Sequence, residues 1–200
     1  MKRIAVTGGI ASGKSAFAQI LGECGAEIID YDQIARDILR KDSAGLAAVA
    51  KEFGTHMINN HGELDRKALA KIVFSNSESR EKLNRITHPL IAQQARRIET
   101  QILHTAPDVI VIHDIPLFAG SWLEGNTDWS VLVAAPEEKR IFRMIHDRGM
   151  SETDAKARIR AQAADTETAK HVDCVIENTG SLEELRRKAR RFWKQIGGKN

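Results

Sequence analysis

Gly8-Gly9-Ile10-Ala11-Ser12-Gly13-Lys14-Ser15 meets the pattern G-x-x-x-x-G-K-[ST] at every fixed position. Just upstream, Ile4, Ala5 and Val6 form a short apolar run that reads as a buried strand, and downstream Phe17, Ile20 and Leu21 recur at helical spacing. The order strand, loop, helix is the one that phosphate binding requires. Glycines let the backbone approach phosphate oxygens with successive N–H groups turned inward, and the helix N-terminus adds partial positive charge. The candidate nucleotide-binding set is therefore Gly8, Gly9, Ala11, Ser12 and Gly13, with Lys14, Ser15 and Ala16 opening the helix. Lys14 is placed to reach the outer phosphates of a nucleoside triphosphate as a point charge, and the Ser15 hydroxyl to ligate Mg²⁺.

The 200 residues allow one sizeable α/β core with room for an insertion or a lid. A formal charge of +3 suits a polyanionic small substrate as readily as nucleic acid. Aromatic residues make up only 5%, and no basic run alternates with them, so a stacking platform for single strands is not expected. Cys24 and Cys174 lack a C-x-x-C neighbour, which argues against a disulfide framework or a zinc knuckle and for a reducing compartment. After Lys2 and Arg3 the chain enters a core strand without a cleavable apolar segment, and no run is long enough to span a bilayer. These features predict a cytoplasmic enzyme with no nucleic-acid partner, no membrane partner and no obligate protein partner.

Ala26 to Ile29 reads as a short strand ending in Asp30-Tyr31-Asp32. Ligands of open α/β sheets sit beyond the carboxyl ends of the strands, so these carboxylates are expected to face the crevice of the phosphate loop. A kinase acting on an alcohol needs a carboxylate to orient the acceptor hydroxyl and take its proton. Asp32 or Asp30 answers that need, and either is equally placed to cap a helix from Gln33 with Ile34, Ile38 and Leu39 as its apolar face. Further helices are expected over Leu46, Val49, Ala50 and Phe53, stopped by Gly54, and over Leu64, Leu69, Ile72, Val73 and Phe74. A long one is expected from about Ser79 past Ile98, interrupted at His88-Pro89. The next strand is Val109 to Ile112. An ordinary crossover between parallel strands holds one helix, and three here point to a helical insertion for a second substrate. His88-Pro89 within it is read either as a contact for an anionic substrate or as a structural kink.

Asp114, just past that strand, is placed to hold Mg²⁺ through water or to act as a turn aspartate before Pro116. Trp129 to Ala134 forms a further strand, and Pro136 opens a helix with Glu137 and Glu138 in its first turn. Arg140, Arg143 and Arg148 follow, then Gly149 and a second helix from Ser151 bearing Arg158 and Arg160. Such a hairpin reads as a lid that brings guanidinium groups over a transferring phosphoryl, or as a solvated basic face. The phosphate loop favours the lid. Val172 to Ile176 is the last strand, with Asn178 placed to contact a base or the loop that holds it. Ser181 and Glu184 make a capping box for a terminal helix packed through Leu182, Leu185, Ala189, Phe192 and Trp193, and Gly197 to Asn200 is a tail.

Taken in order, Thr7-Gly8-Gly9-Ile10, Asp30-x-Asp32-x-Ile34-Ala35-Arg36, His88-Pro89-Leu90-Ile91, Pro116-Leu117, Arg158-Ile159 with Gln162, and Asn178 with Gly180-Ser181 resemble the bacterial dephospho-CoA kinase family over nearly the whole chain. The resemblance implies a five-stranded parallel P-loop kinase core with helices on both faces (about 1–42, 105–138 and 170–200), a helical acceptor-binding insertion (about 43–104) and a lid (about 139–169). It implies ATP-dependent phosphorylation of the ribose 3′-hydroxyl of dephospho-CoA, with Mg²⁺ as cofactor. On this chain it makes Asp32 the general base and Arg143 the lid arginine, and it places Arg36, His88, Pro89 and Arg158 with Asp32 at the acceptor. Four departures stand out: Ala11 where the family usually has Gly, Ala16 where it has Thr, Phe118-Ala119-Gly120 where Pro116-Leu117 is usually followed by Leu-Phe-Glu, and Asp147-Arg148-Gly149 where it has Arg-Asp-Gly. The second lid arginine, here Arg148, is thereby displaced by one position, a rotation of about 100° on a helix. The rival readings are another small-molecule alcohol kinase of this architecture, a non-catalytic relative, and a GTPase-like switch; the last lacks its Asn-Lys-x-Asp.

Overall fold

A computed structural model describes residues 1–162 and 164–198, with Phe74 described by its backbone alone. Lys199 and Asn200, the end of the expected tail, lie outside the described residues, as does the Phe74 side chain expected on a helix face. By its contacts the chain divides into two compact units, Met1–Asp30 with Gln101–Asn200, and Tyr31–Thr100.

The first unit is built on five parallel strands, β1 (Lys2–Thr7), β2 (Glu27–Asp30), β3 (Ile110–Asp114), β4 (Trp129–Ala134) and β5 (Cys174–Glu177), in the order β2-β3-β1-β4-β5. The inner strands are apolar on both faces: Ile4, Ala5 and Val6, Ile110 to Ile112, and Val131 to Val133 are all buried. Runs of this kind need helices on both sides of the sheet, which is why the pairing is parallel. Asp114 stands in register with Val6 on one side and Asp30 on the other, so the last residues of β1, β2 and β3 share one edge of the sheet.

α1 (Lys14–Glu23) starts directly from the loop and buries Phe17, Ala18, Ile20 and Leu21. Beside it packs α9 (Leu182–Gln195), which contributes Leu185, Ala189, Phe192 and Trp193 to the same core. The Phe192 ring lies 5.9 Å from Phe17 and 6.3 Å from Trp129. Both halves of the capping box form at Ser181 and Glu184. Leu182, expected in the packed stripe, is instead 60% exposed. It is the first helical residue, and helical side chains lean toward the N-terminus, so it projects past the covered stretch.

The first unit also holds α6 (Glu137–Arg148), α7 (Glu152–Arg160) and the short α8 (Asp165–Thr168). Gly149 ends α6 in the left-handed conformation, φ +61, and the Ser151 hydroxyl caps α7 by accepting from the Asp154 N–H.

In the second unit, α2 (Tyr31–Asp37), α3 (Ala44–Phe53), α4 (Arg66–Ser75) and most of α5 (Ser77–Thr105) surround Leu39, Leu46, Val49, Met57, Leu64 and Leu69. Ser43 caps α3 and Asp65 caps α4. Residues 31–42, expected with the core, fall in this unit, since Leu39 belongs to its apolar cluster. The helix expected from Gln33 begins at Tyr31 directly on the end of β2, so Asp32 lies in its first turn. The expected break at His88-Pro89 does not occur: α5 runs for 29 residues with Pro89 inside it. Among the described residues no helix is long and apolar enough to cross a membrane.

Candidate active site

Each glycine of the loop is required by what lies against it. A Cβ on Gly8 would meet the Val133 carbonyl and the Ser12 hydroxyl, one on Gly9 the Arg140 guanidinium, and one on Gly13 the Asn178 amide. Gly13, at φ +99, is also the N-cap of α1. Ala11 adopts φ +57, a left-handed conformation that a side chain disfavours.

Three successive loop carbonyls are held from outside. Arg140 Nε donates to Ile10 O (2.8 Å), and Arg143 Nη1 donates to Ala11 O (2.9 Å) and Ser12 O (3.1 Å). Asn178 Nδ2 donates to Ser12 O (2.7 Å), while its own carbonyl accepts from Arg143 Nη2 at 3.4 Å. Across a trans peptide the C=O and the next N–H point in opposite directions, so the N–H groups of Ala11 and Gly13 face away from these donors. At the start of α1 the first N–H groups have no acceptor within the helix. The Ser12 hydroxyl is fully buried with no hydrogen-bond partner. An inward set of N–H donors, an orphaned buried hydroxyl and two guanidinium groups behind the loop together fit the oxygens of a polyphosphate.

Lys14 and Asp114 form a buried ion pair, 8% and 4% exposed. The Ser15 hydroxyl hydrogen-bonds the same carboxylate, and Asp30 adds negative charge nearby. Burial pushes the Asp114 carboxyl above its usual range, against the pull of Lys14 and Ser15. Asp114 is thus more than a turn residue: it anchors the two loop side chains that phosphate and metal chemistry would use. No cluster of three or more His, Cys, Asp or Glu suited to a metal exists among the described residues. A Mg²⁺ ion would rely on the Ser15 hydroxyl, the Asp114 carboxylate through water, and phosphate oxygens, which is the sparse protein coordination this ion prefers.

The second unit has a cavity of about 400 Å³ lined by Asp32, Arg36, Arg66 and Thr87 among apolar groups that include Leu39, Leu69, Val73 and Ile91. Most of the lining is apolar, while two guanidinium side chains and a carboxylate supply charge. Leu83, Thr87 and Ile91 line it at i, i+4 and i+8 along α5. His88 and Pro89 are exposed and are not among the lining residues, because each step along a helix turns the side chain by about 100°.

The sequence profile of the dephospho-CoA kinase family matches residues 2–184. The chain belongs to the dephospho-CoA kinase family. It is 40% identical over 196 residues to the dephospho-CoA kinase of Streptomyces avermitilis, covering 98% of this chain and 94% of that one. Among solved structures it resembles TT1252 from Thermus thermophilus (TM-score 0.80, 34% identity, 98% of both chains). It also resembles the dephospho-CoA kinase from Campylobacter jejuni (TM-score 0.69, 28% identity, 97% of this chain and 96% of that one).

For a dephospho-CoA kinase family member, the sequence-derived site divides clearly. Gly8, Gly9, Ala11, Ser12, Gly13, Lys14, Ser15, Ala16, Arg143 and Asn178 lie at or against one loop in the first unit. Asp32 and Arg36 lie at the cavity of the second. Arg158 is exposed on α7, as is Arg148 at the end of α6. Arg140, read only as one of several basic residues, and Gln162, read only as part of a family motif, were not singled out for the site. Gln162 Oε1 accepts from Ile10 N (2.8 Å) and from Arg140 Nη2 (3.0 Å), and Asp165 faces Arg140 Nη1 at 3.7 Å. A signal existed: Arg140, Arg143 and Met144 share the inner face of α6 at i, i+3 and i+4.

Proposed function

We propose that this chain transfers the γ-phosphoryl group of ATP to the ribose 3′-hydroxyl of dephospho-CoA, giving CoA and ADP. Membership of the dephospho-CoA kinase family over residues 2–184, with the phosphate loop and the Lys14–Asp114 pair in place, carries the reading. In it, the loop N–H groups and Lys14 hold the triphosphate, and Arg140 and Arg143 add positive potential from behind the loop. Mg²⁺, bound through the Ser15 hydroxyl and by water to Asp114, would neutralise charge on the phosphate oxygens.

Asp32 takes the proton from the 3′-hydroxyl as its oxygen bonds to phosphorus and the bond to the ADP oxygen breaks. Arg36 and Arg66 are suited to the anionic phosphates of the acceptor and the apolar wall to its uncharged part. Arg158, exposed on α7, is assigned to the acceptor side, and His88 and Pro89 to the outer surface of α5. A cytoplasmic setting accords with the two unpaired cysteines.

An ADP-release assay with Mg-ATP, offering dephospho-CoA, adenosine and shikimate and identifying products by mass, tests this. Selective formation of CoA is expected. Faster turnover of either other acceptor would make the chain an alcohol kinase of different specificity, and ADP binding without turnover of any acceptor would make it a non-catalytic relative. The Asp32→Asn variant is expected to lose roughly a hundredfold or more in turnover while binding ADP as before. Near-normal turnover would remove Asp32 from the base role.

A further inference from the structure

Ile10 is gripped at both of its backbone groups. Its N–H donates to Gln162 Oε1 at 2.8 Å, and its carbonyl accepts from Arg140 Nε at 2.8 Å. The two partners are themselves joined, Arg140 Nη2 donating to the same Gln162 oxygen at 3.0 Å. The result is a closed ring of three hydrogen bonds between the outer tip of the phosphate loop, the first turn of α6 and the segment just after α7. Arg140 is only 6% exposed, so its guanidinium must find acceptors within the fold, and among the described residues these include Gln162, Ile10 O and, at 3.7 Å, Asp165. Gly9 leaves the space that this guanidinium occupies.

We propose that Gln162 is a positioning residue for the donor nucleotide: by fixing the Ile10 N–H and the Arg140 guanidinium together, it sets the path of the loop and hence the aim of its phosphate-facing N–H groups. Gln162 acts through the loop and has no role in the acceptor cavity. Only an acceptor oxygen at this position can do both jobs, since the Ile10 N–H and Arg140 are both donors. A carboxylate preserves that chemistry; an alkyl group of similar size removes it and leaves one N–H and part of a buried guanidinium unsatisfied.

The inference rests on the phosphotransferase reading only for its turnover measurement; ADP binding is read directly by calorimetry and does not depend on which alcohol is phosphorylated. In the full chain, Gln162→Leu is expected to weaken ADP binding and raise the KM for ATP by about tenfold, the scale of losing one buried hydrogen bond. The KM for dephospho-CoA should change by less than about twofold, and the melting temperature without nucleotide should stay within a few degrees. Gln162→Glu should restore ADP affinity to within about threefold of the parent. Unchanged ADP affinity in Gln162→Leu, an equal rise in the KM for dephospho-CoA, or a Gln162→Glu variant as impaired as Gln162→Leu would each overturn the proposal. If Gln162→Leu does not fold, Gln162→Met, which keeps the length of the side chain without its acceptor oxygen, is set beside Gln162→Glu, and equal ADP affinity in those two variants overturns the proposal.

Discussion

At the scale of single residues, Ala11 carries a strain that its neighbours impose. Its carbonyl is held by Arg143 and its φ is +57, where an L side chain costs roughly 1–2 kcal/mol. Ala11→Gly relieves that strain but adds freedom to the unfolded chain worth about 0.4–1 kcal/mol. The net expected gain is roughly 0.5–1 kcal/mol, to be read from the urea midpoint at constant m; a loss of stability would mean that the methyl group packs favourably. Asp114 gives a prediction in pH. Because burial raises its pKa above the ordinary 3.8, the folded chain binds that proton more tightly than the unfolded one. The resulting stabilisation is complete below 3.8 and disappears as pH climbs through the raised value. Urea midpoints of the parent should therefore fall relative to those of Asp114→Asn as pH rises from about 4 to 7, and parallel profiles would contradict this. Lys14 and Ser15 were legible because their roles are fixed by local spacing around one loop. The partners of that loop were less so: Asp114, Arg140, Gln162 and Asn178 reach it from 100 or more residues away, and only the sheet order brings them there.

At the scale of elements, β4 was readable end to end, since Trp129–Ala134 is an apolar run bounded by Asp128 and by Pro136. The terminal helix was readable from its capping box. The misread element is α5, in which burial of other positions accompanies an unbroken helix through the proline. Pro89 removes the N–H that would bond the Arg85 carbonyl, a change that usually breaks a helix. Here the helix continues; Arg85 is exposed, leaving its carbonyl within reach of water, while Thr87, Ala95 and Glu99 of the same helix are buried. Pro89→Ala should then strengthen α5. An interior proline costs about 3 kcal/mol, of which about 0.4–1 kcal/mol is offset by its stiffening of the unfolded chain, so a gain of roughly 2 kcal/mol is expected. Slower amide exchange across residues 85–93 would show it, and unchanged exchange would mean that the surrounding packing already holds this turn.

At the scale of the whole molecule, three helices between two adjacent strands announced an insertion, whereas its first boundary was hidden inside the continuous stretch Asp30-Tyr31-Asp32. The two units make separate predictions for ligands. ADP at a hundred times its Kd stabilises whatever binds it by about 2.7 kcal/mol. Amide protection by ADP should concentrate in the loop, α1 and the strand ends of the first unit, and protection by dephospho-CoA in α2, α4 and α5. Protection of both sets to the same degree by ADP alone would refute a division of labour between them.

That boundary, falling between Asp30 and Tyr31, also bears on how such enzymes diversify. On the proposed reading, the first segment of the donor-binding unit ends with the strand that carries Asp30, and Asp32, the proposed proton acceptor, is encoded with the helices proposed to select the alcohol. Exchanging residues 31–100 for a different helical cassette would replace both the recognition of a substrate and its deprotonation in a single genetic event. The energy source would be inherited untouched.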